Sequence, residues 1–419
     1  MRKLYKIRVK IYRVLGLTLL TVFLSSFFVL SCQIRGFEKE KGLSTDNQLV
    51  HLERQFGALL HEAENMNAIP RTTKENKIHW IGEQFDWTEG FFPGSCWYLF
   101  EMSNDPKWKA AAERFQAKFE HHKNITSNHD LGFVFNCSFG NGYRLTGNEA
   151  FKQTMLTAGE SLITRFNYKV GAIQSWDVND GWQALKGWEF PVIIDNMMNL
   201  ELLFELSRLT GNPKYKEIAV THANTTIQNH FRDDFSSYHV IDYDPITGEV
   251  RNRHTAQGSA NHSSWARGQA WGLYGFTVCY RYTKDKKYLQ QAQKIADYIL
   301  GFEGMPEDGI PYWDYHAPNI PKEPRDVAAA AIAVSALIEL NLHSDKDYTK
   351  NIGHIMNSLN SDKYLASVGE NHNFVLKHSV GSIPHGHEID VPLNYADYYY
   401  IEALMRLNSS EKRSGIVQN

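Results

Sequence analysis

The chain has 419 residues, 42% hydrophobic, 13% aromatic and 22% charged: long enough for a substantial core, and too apolar and charge-balanced for a disordered protein. Its 44 basic and 47 acidic residues leave a formal net charge of −3, without the basic surplus of a nucleic-acid binder. The sequence carries no P-loop, no GxGxxG opening a helix, no HExxH and no paired CxxC.

Residues 1–32 read as an address. Arg2, Lys3, Lys6, Arg8, Lys10 and Arg13 precede an apolar run from Leu15 to Leu30, which ends at Ser31-Cys32. A basic segment, an apolar segment and a small residue before the break form a secretory signal. Val29-Leu30-Ser31-Cys32 resembles a bacterial lipobox, in which Cys32 is lipidated and becomes the new N-terminus. The alternative is an uncleaved anchor, although the run is just short of a confident span. Either reading exports the rest of the chain. Residues 33–44 read as a tether, 45–410 as a single domain and 411–419 as a tail. Cys96, Cys137 and Cys279 are sparse and odd in number, so no disulfide framework is expected.

A repeat organises the domain. Asp or Asn, two residues and an aromatic recur at Asp105–Trp108, Asn148–Phe151, Asn212–Tyr215, Asp285–Tyr288 and Asp345–Tyr348. Each begins with a good helix N-cap residue, and Pro106 and Pro213 stand where a first helical turn accepts proline. An amphipathic run follows each, and a more apolar helix precedes each: 91–102, 132–145, 192–209, 265–282 and 327–342. A helix apolar on most sides is an inner helix, and one with a polar stripe is an outer helix. With 49–66 and 391–407 this makes about twelve helices in alternation. The repeat spacing is too irregular for a solenoid, the structural rival, and predicts an all-α (α/α)6 barrel of six inner and six outer helices.

Chemistry is expected on the long loops 167–191, 230–264, 302–325 and 361–390. Asp130 and Asp195 stand at inner-helix starts beside such loops. Asp130 is open to a helix-capping role. Asp195 interrupts an apolar stretch, where a charge needs a partner or a task, and a buried structural role stays open. If both face one mouth, repulsion would raise one pKa and keep that carboxyl protonated as a general acid. Arg267 and Trp271, four apart, share a helix face and could grip a carboxylate while stacking on a sugar. The alternative is an Arg paired with an acid over a core Trp. His121/His122 and His385/His387 lack an acid at ligand spacing, so no metal is expected, and His121-His122 reads as the polar end of an outer helix.

Asn128-His-Asp-Leu-Gly-Phe, Gly171-Ala-Ile-Gln-Ser-Trp-Asp, Pro191-Val-Ile-Ile-Asp-Asn-Met-Met-Asn-Leu and Ser264-Trp-Ala-Arg-Gly-Gln-Ala-Trp resemble family 88 of the glycoside hydrolases, the unsaturated glucuronyl hydrolases. Arg325-Asp-Val-Ala-Ala-Ala-Ala and Glu388-Ile-Asp-Val-Pro-Leu-Asn-Tyr-Ala-Asp-Tyr-Tyr extend the likeness, which spans roughly residues 80–405. The resemblance implies an (α/α)6 barrel, no metal or other cofactor, and substrates with a Δ4,5-unsaturated uronic acid at the non-reducing end, as polysaccharide lyases leave. By the same resemblance Asp195 is the general acid/base and Asp130 its essential partner. His129, Trp176, His239, Gln257, Arg267 and Trp271 would hold the sugar, with Arg267 or Gln257 orienting the uronate. The reaction it implies is hydration of a vinyl ether, with a proton to C4 and water to C5, after which the hemiketal opens.

Departures from the family pattern bear on the subsites. Phe92 stands where a Trp is expected, with Trp87 or Trp97 as substitutes. Ser379-Val-Gly-Ser382-Ile-Pro384 resembles a sulfate-recognising Ser-x-x-Ser-x-Lys stretch with Pro384 for the Lys, which leaves Ser379, Ser382, Lys377 or His385 for that task. Residues 177–190 look longer than usual and would reshape the subsite beyond the cleaved bond. An unsaturated rhamnogalacturonyl hydrolase and a non-catalytic glycan-binding lipoprotein are the rival functions, and a binder has no need of two carboxylates. An epimerase on the same barrel would need His as its base pair, with no special use for Asp130. The expected partners are the oligosaccharide and, through lipid alone, an envelope membrane.

Overall fold

A computed structural model of the chain describes residues 45–416, so the segments expected as signal and tether, with Cys32, lie outside the described residues. The described residues up to Ser409 form one compact unit. Among the described residues the principal helices alternate outer and inner as an (α/α)6 barrel. The outer set is α1 Thr45–Met66, α3 Pro106–Gln116 with a 3-10 extension to Asn124, α5 Glu149–Ile163, α7 Pro213–Asn229, α9 Lys286–Gly301 and α11 Thr349–Leu359. The inner set is α2 Phe91–Ser103, α4 Leu131–Thr146, α6 Ile194–Thr210, α8 Ala266–Thr283, α10 Val327–Asn341 and α12 Asn394–Ile416. A π-helical turn at Asn136–Gly140 interrupts α4, and α6 opens with a 3-10 turn over Ile194–Asn199.

Burial follows the sequence pattern. Every residue of α10 from Val327 to Leu340 is buried, as its apolar composition requires of an inner helix. In α9 the buried positions are Tyr288, Gln291, Ala292, Ile295, Ala296 and Ile299, one stripe at helical spacing. Four of the five repeat motifs start a helix as expected: Asp105, Asn148, Asn212 and Asp285 each accept the backbone N–H two residues on. The fifth differs. Asp345 precedes a loop and α11 begins at Thr349, whose N–H bonds the Asp347 side chain. Tyr348 is still buried, so the repeat keeps its aromatic and loses its cap.

The inner helices begin at one end, and the long loops gather over it as short hairpins. Phe190–Ile193 (β5) is a strand that takes in Val192 and Ile193, expected as the start of a helix, because these branched residues pair with Ile241 and Val240 of Val240–Tyr243 (β6). Val250–His254 (β7) completes a three-stranded antiparallel sheet. The remaining hairpins are Pro70–Lys74 with Lys77–Trp80 (β1, β2), Phe166–Asn167 with Ala172–Ile173 (β3, β4) and Ser379–Ser382 with His387–Val391 (β8, β9). Cys96, Cys137 and Cys279 are buried and free.

Two inner helices touch backbone to backbone at this end. A Cβ on Gly132 of α4 would stand 2.3 Å from Asn199 Cα and 2.6 Å from its carbonyl oxygen in α6. Only glycine lets the segments that carry Asp130 and Asp195 approach so closely. Gly132→Ala therefore forces the two helices apart, with an expected loss of about 3 kcal/mol and a large drop in turnover. Unchanged thermal melting of the variant would contradict this packing.

Candidate active site

Asp130 is the residue before α4 and makes no capping bond with its side chain, so capping does not explain it. Asp195 lies in the 3-10 turn that opens α6, directly after β5. The sheet sets its neighbour: Ile194 N–H bonds His239 O at 3.0 Å, which places His239, just before β6, beside Asp195. His239 Nε2 lies 3.5 Å from Asp195 Oδ2, and His129 Nε2 lies 3.2 Å from Asp130 Oδ1. The carboxylates are only 9% and 8% exposed, and both imidazoles are buried.

Each imidazole is held in one tautomer. His239 Nδ1 accepts the N–H groups of Ala256 (3.0 Å) and Gln257 (3.2 Å), so its ring proton sits on Nε2, facing Asp195. Asn199 Oδ1 takes the Phe133 N–H at 2.9 Å, which leaves Asn199 Nδ2 to donate to His129 Nδ1 at 3.2 Å. His129 thus presents Nε2–H toward Asp130. Burial holds its pKa down at about 3, so it is a neutral donor. Neither Nε2–H is spent on a hydrogen bond within the protein.

Burial and the negative charge of Asp195 push the Asp130 carboxyl up to about 8. The like-charge logic expected from the sequence holds, with one correction: the carboxyl driven to keep a proton is Asp130, while Asp195 was expected to carry it. At neutral pH the pair therefore retains one proton between two carboxyls.

Aromatic walls complete the mouth. Asn128 and Trp176 pair through their backbones, which sets Trp176 beside the His129-Asp130 segment and 6.2 Å from the His239 ring. Trp182 and Trp188, from the long 177–190 segment, pack on Trp176, and the Trp182 ring lies tilted against His385 at 5.2 Å. Gln257 Nε2 reaches Gly381 O at 3.4 Å. Ser382 Oγ bonds His385 Nδ1 at 2.7 Å; Ser379 is buried and its hydroxyl has no partner. Pro384 is exposed.

Four expectations are corrected. Arg267 is 1% exposed: it pairs with Asp326 at 2.7 Å and donates to the carbonyls of Val380 and Gly381. It is not free to grip a uronate, and instead ties the β8–β9 hairpin to the start of α10. Trp271 is fully buried between Phe133 and Tyr399, so it offers no face to a sugar. Phe92 packs in the core between Phe56 and Phe115, away from any wall of the mouth; Trp97 is likewise core, and only Trp87 is partly exposed, tilted against Tyr395. His122 is also no polar helix end: buried, it faces both oxygens of Glu89, whose carboxyl burial pushes up to about 9. Among the described residues no three His, Cys, Asp or Glu side chains cluster as metal ligands.

Sequence reasoning missed Asn199, Trp265 and Arg165. Asn199 stands four residues after Asp195 within a motif already singled out, and that helical spacing was a usable signal. Trp265, 4.7 Å from His239 and 4.5 Å beneath the Arg267 guanidinium, shows only in the fold. Removing one partner of a buried ion pair costs about 3–5 kcal/mol. Arg267→Ala is accordingly expected to melt several degrees lower, with its kinetic loss following the displaced hairpin; an unchanged melting temperature with a raised KM would restore the uronate-grip role.

Residues 61–406 match the profile of Glycosyl Hydrolase Family 88. An unsaturated glucuronyl hydrolase of Formosa agariphila is 42% identical over 97% of this chain and 98% of its own length. An unsaturated chondroitin disaccharide hydrolase of Streptococcus agalactiae is 33% identical over 80% of this chain and 85% of its own. The crystal structure of an unsaturated glucuronyl hydrolase specific for heparin superposes with a TM-score of 0.82 at 44% identity, covering 88% of this chain and 99% of that one. With the carboxyl pair and its two oriented imidazoles at the open end of the barrel, the chain belongs to glycoside hydrolase family 88.

Proposed function

We propose that the protein removes the Δ4,5-unsaturated uronic acid from the non-reducing end of lyase-generated oligosaccharides, glycosaminoglycan fragments foremost, by hydrating the C4=C5 bond. The observation that carries the reading is the buried pair Asp130 and Asp195, which keeps one proton near neutral pH beside two imidazoles with unspent N–H donors. A binding protein gains nothing from that arrangement, whereas hydration of a vinyl ether needs both a proton donor and a proton acceptor.

In this mechanism the proton kept on Asp130 passes to Asp195, which delivers it to C4. The developing oxocarbenium at C5 takes a water, whose proton returns to the carboxylate, so the pair ends as it began. The C5 hemiketal then opens and releases the remaining saccharide. His239 Nε2–H orients the water or Asp195, and His129 holds Asp130. Trp176 supports the sugar face, Gln257 orients the uronate, and Ser379 and Ser382 line the side where substituents of the next sugar would lie. Relatives named for heparin and for chondroitin disaccharides support glycosaminoglycan as the polymer class.

The basic segment, the apolar run and Ser31-Cys32 support a further part of the proposal: the enzyme is exported and held to a bacterial envelope membrane by a lipid on Cys32. Among the described residues no helix is long and apolar enough to cross a membrane.

The direct test follows the ultraviolet absorbance of the C4=C5 bond in unsaturated disaccharides from chondroitin, hyaluronan, heparin and rhamnogalacturonan. The absorbance is expected to fall with the wild type, and Asp195→Asn is expected to fold and bind with turnover reduced by about 10³-fold or more. An active Asp195→Asn enzyme would refute the assignment. Loss of the shared proton sets the alkaline side of the profile: kcat/KM is expected to fall as pH rises through about 8, where Asp130 ionises. A profile flat through that range would remove Asp130 as the group concerned.

A further inference from the structure

Arg165 follows the outer helix α5 and lies beneath the mouth, with 4% of its side chain exposed. Its guanidinium bonds two separate segments. Nε donates to Gln174 O at 2.7 Å, and Nη1 donates to Thr126 O at 2.5 Å and to Asp177 Oδ1 at 2.8 Å. Thr126 leads into His129 and Asp130, while Gln174 and Asp177 flank Trp176. The same two segments meet in the backbone pairing of Asn128 with Trp176. Nη2 is buried without a hydrogen-bond partner.

The ion pair alone does not account for this burial. Asp177 is 47% exposed on its side chain, and a partner so solvated contributes little against the desolvation of a buried guanidinium. The planar fork, which bonds several acceptors in fixed directions, explains why the residue is arginine.

We propose that Arg165 is a positioning residue of the hydrolytic site, tying the segment of His129 and Asp130 to the segment of Trp176, with its positive charge acting on Asp130 from there. The inference rests on the hydrolase reading for its kinetic consequences alone. Four charged or titratable groups face Asp130. Asp195 from α6 and Asp86 from the segment before α2 add to burial in pushing its carboxyl up, and Arg165 pulls it back. His129 beside it is kept neutral by burial, with Arg165 acting in the same direction. One residue thus connects the wall that holds the sugar with the group that holds the proton.

Arg165→Gln, Arg165→Lys and Asp177→Asn separate the two roles. Folding is checked by circular dichroism, kcat and KM are measured across pH on an unsaturated chondroitin disaccharide, and Asp130 is titrated by 13C NMR of aspartate-labelled protein, with Asp130→Asn identifying its signal. Arg165→Gln is expected to lose about 10²-fold in kcat and to move both the alkaline limb and the Asp130 titration upward. Arg165→Lys keeps the charge and therefore the limb, while KM rises several-fold because an ammonium cannot span the same acceptors. Asp177→Asn cuts only the solvated arm, raising KM with the limb in place. Asp130 titrating at the wild-type pH in Arg165→Gln would overturn the electrostatic role. Wild-type kinetics in Arg165→Lys would overturn the positioning role, and that variant decides it if Arg165→Gln does not fold. A wild type silent on every disaccharide would sink the hydrolase reading separately, since the carboxyl titration needs no substrate.

Discussion

The mutual repulsion of Asp130 and Asp195 is the constraint around which this end of the barrel is built. Two carboxylates in a nearly dry pocket are unstable together unless one keeps its proton, and burial with the neighbouring charge makes Asp130 the keeper. The surroundings fix geometry and set no cation in direct contact with the pair. His129 and His239 approach as neutral donors because amide and backbone N–H groups occupy their other ring nitrogens. A full positive charge in direct contact would have stripped the proton from the pair; the cations nearby are engaged elsewhere, Arg267 with Asp326 and Arg165 with Asp177 and two carbonyls.

The other half of the barrel shows the same chemistry put to a different use. There Arg281 pairs with Glu201 and Glu339, Arg406 pairs with Glu339 and Glu402, and Tyr98, Tyr274 and Ser335 also donate to Glu402. Arg144, Arg208 and Arg281 stand in the last turns of their helices, where the helix dipole favours cations. Those carboxylates are matched by guanidinium groups, which suits a closing network. At the working end the donors are neutral and the buried Nε2–H groups are left unspent, which suits a reaction. The contrast lies in the partners, since both ends have carboxylates in low dielectric.

Arg267 illustrates how a motif residue can be committed to partners within the protein. Its ion pair with Asp326 and its bonds to Val380 and Gly381 hold the β8–β9 hairpin in place, and Gln257 reaches the same Gly381 carbonyl. Arg267 thereby acts on the mouth through the hairpin, as Arg165 is proposed to act through two loops.

The fold class was legible from the sequence. N-cap residues at Asp105, Asn148, Asn212 and Asp285 and the change from all-round to one-sided apolarity mark the helices locally, and local signals survive without the fold. The pairing of Asp130 with Asp195 was legible only as a possibility resting on their position at helix starts. Which carboxyl holds the proton, that Arg267 and Trp271 lie in the interior, that Phe92 is core, and that Arg165 reaches both loops were decided by tertiary structure. Each depends on distances between residues far apart in the chain, such as the Gly132–Asn199 contact and the strand pairing that brings His239 to Asp195. A sequence shows which residues could ionise or pair; only the assembled barrel sets how much water and charge surrounds each of them.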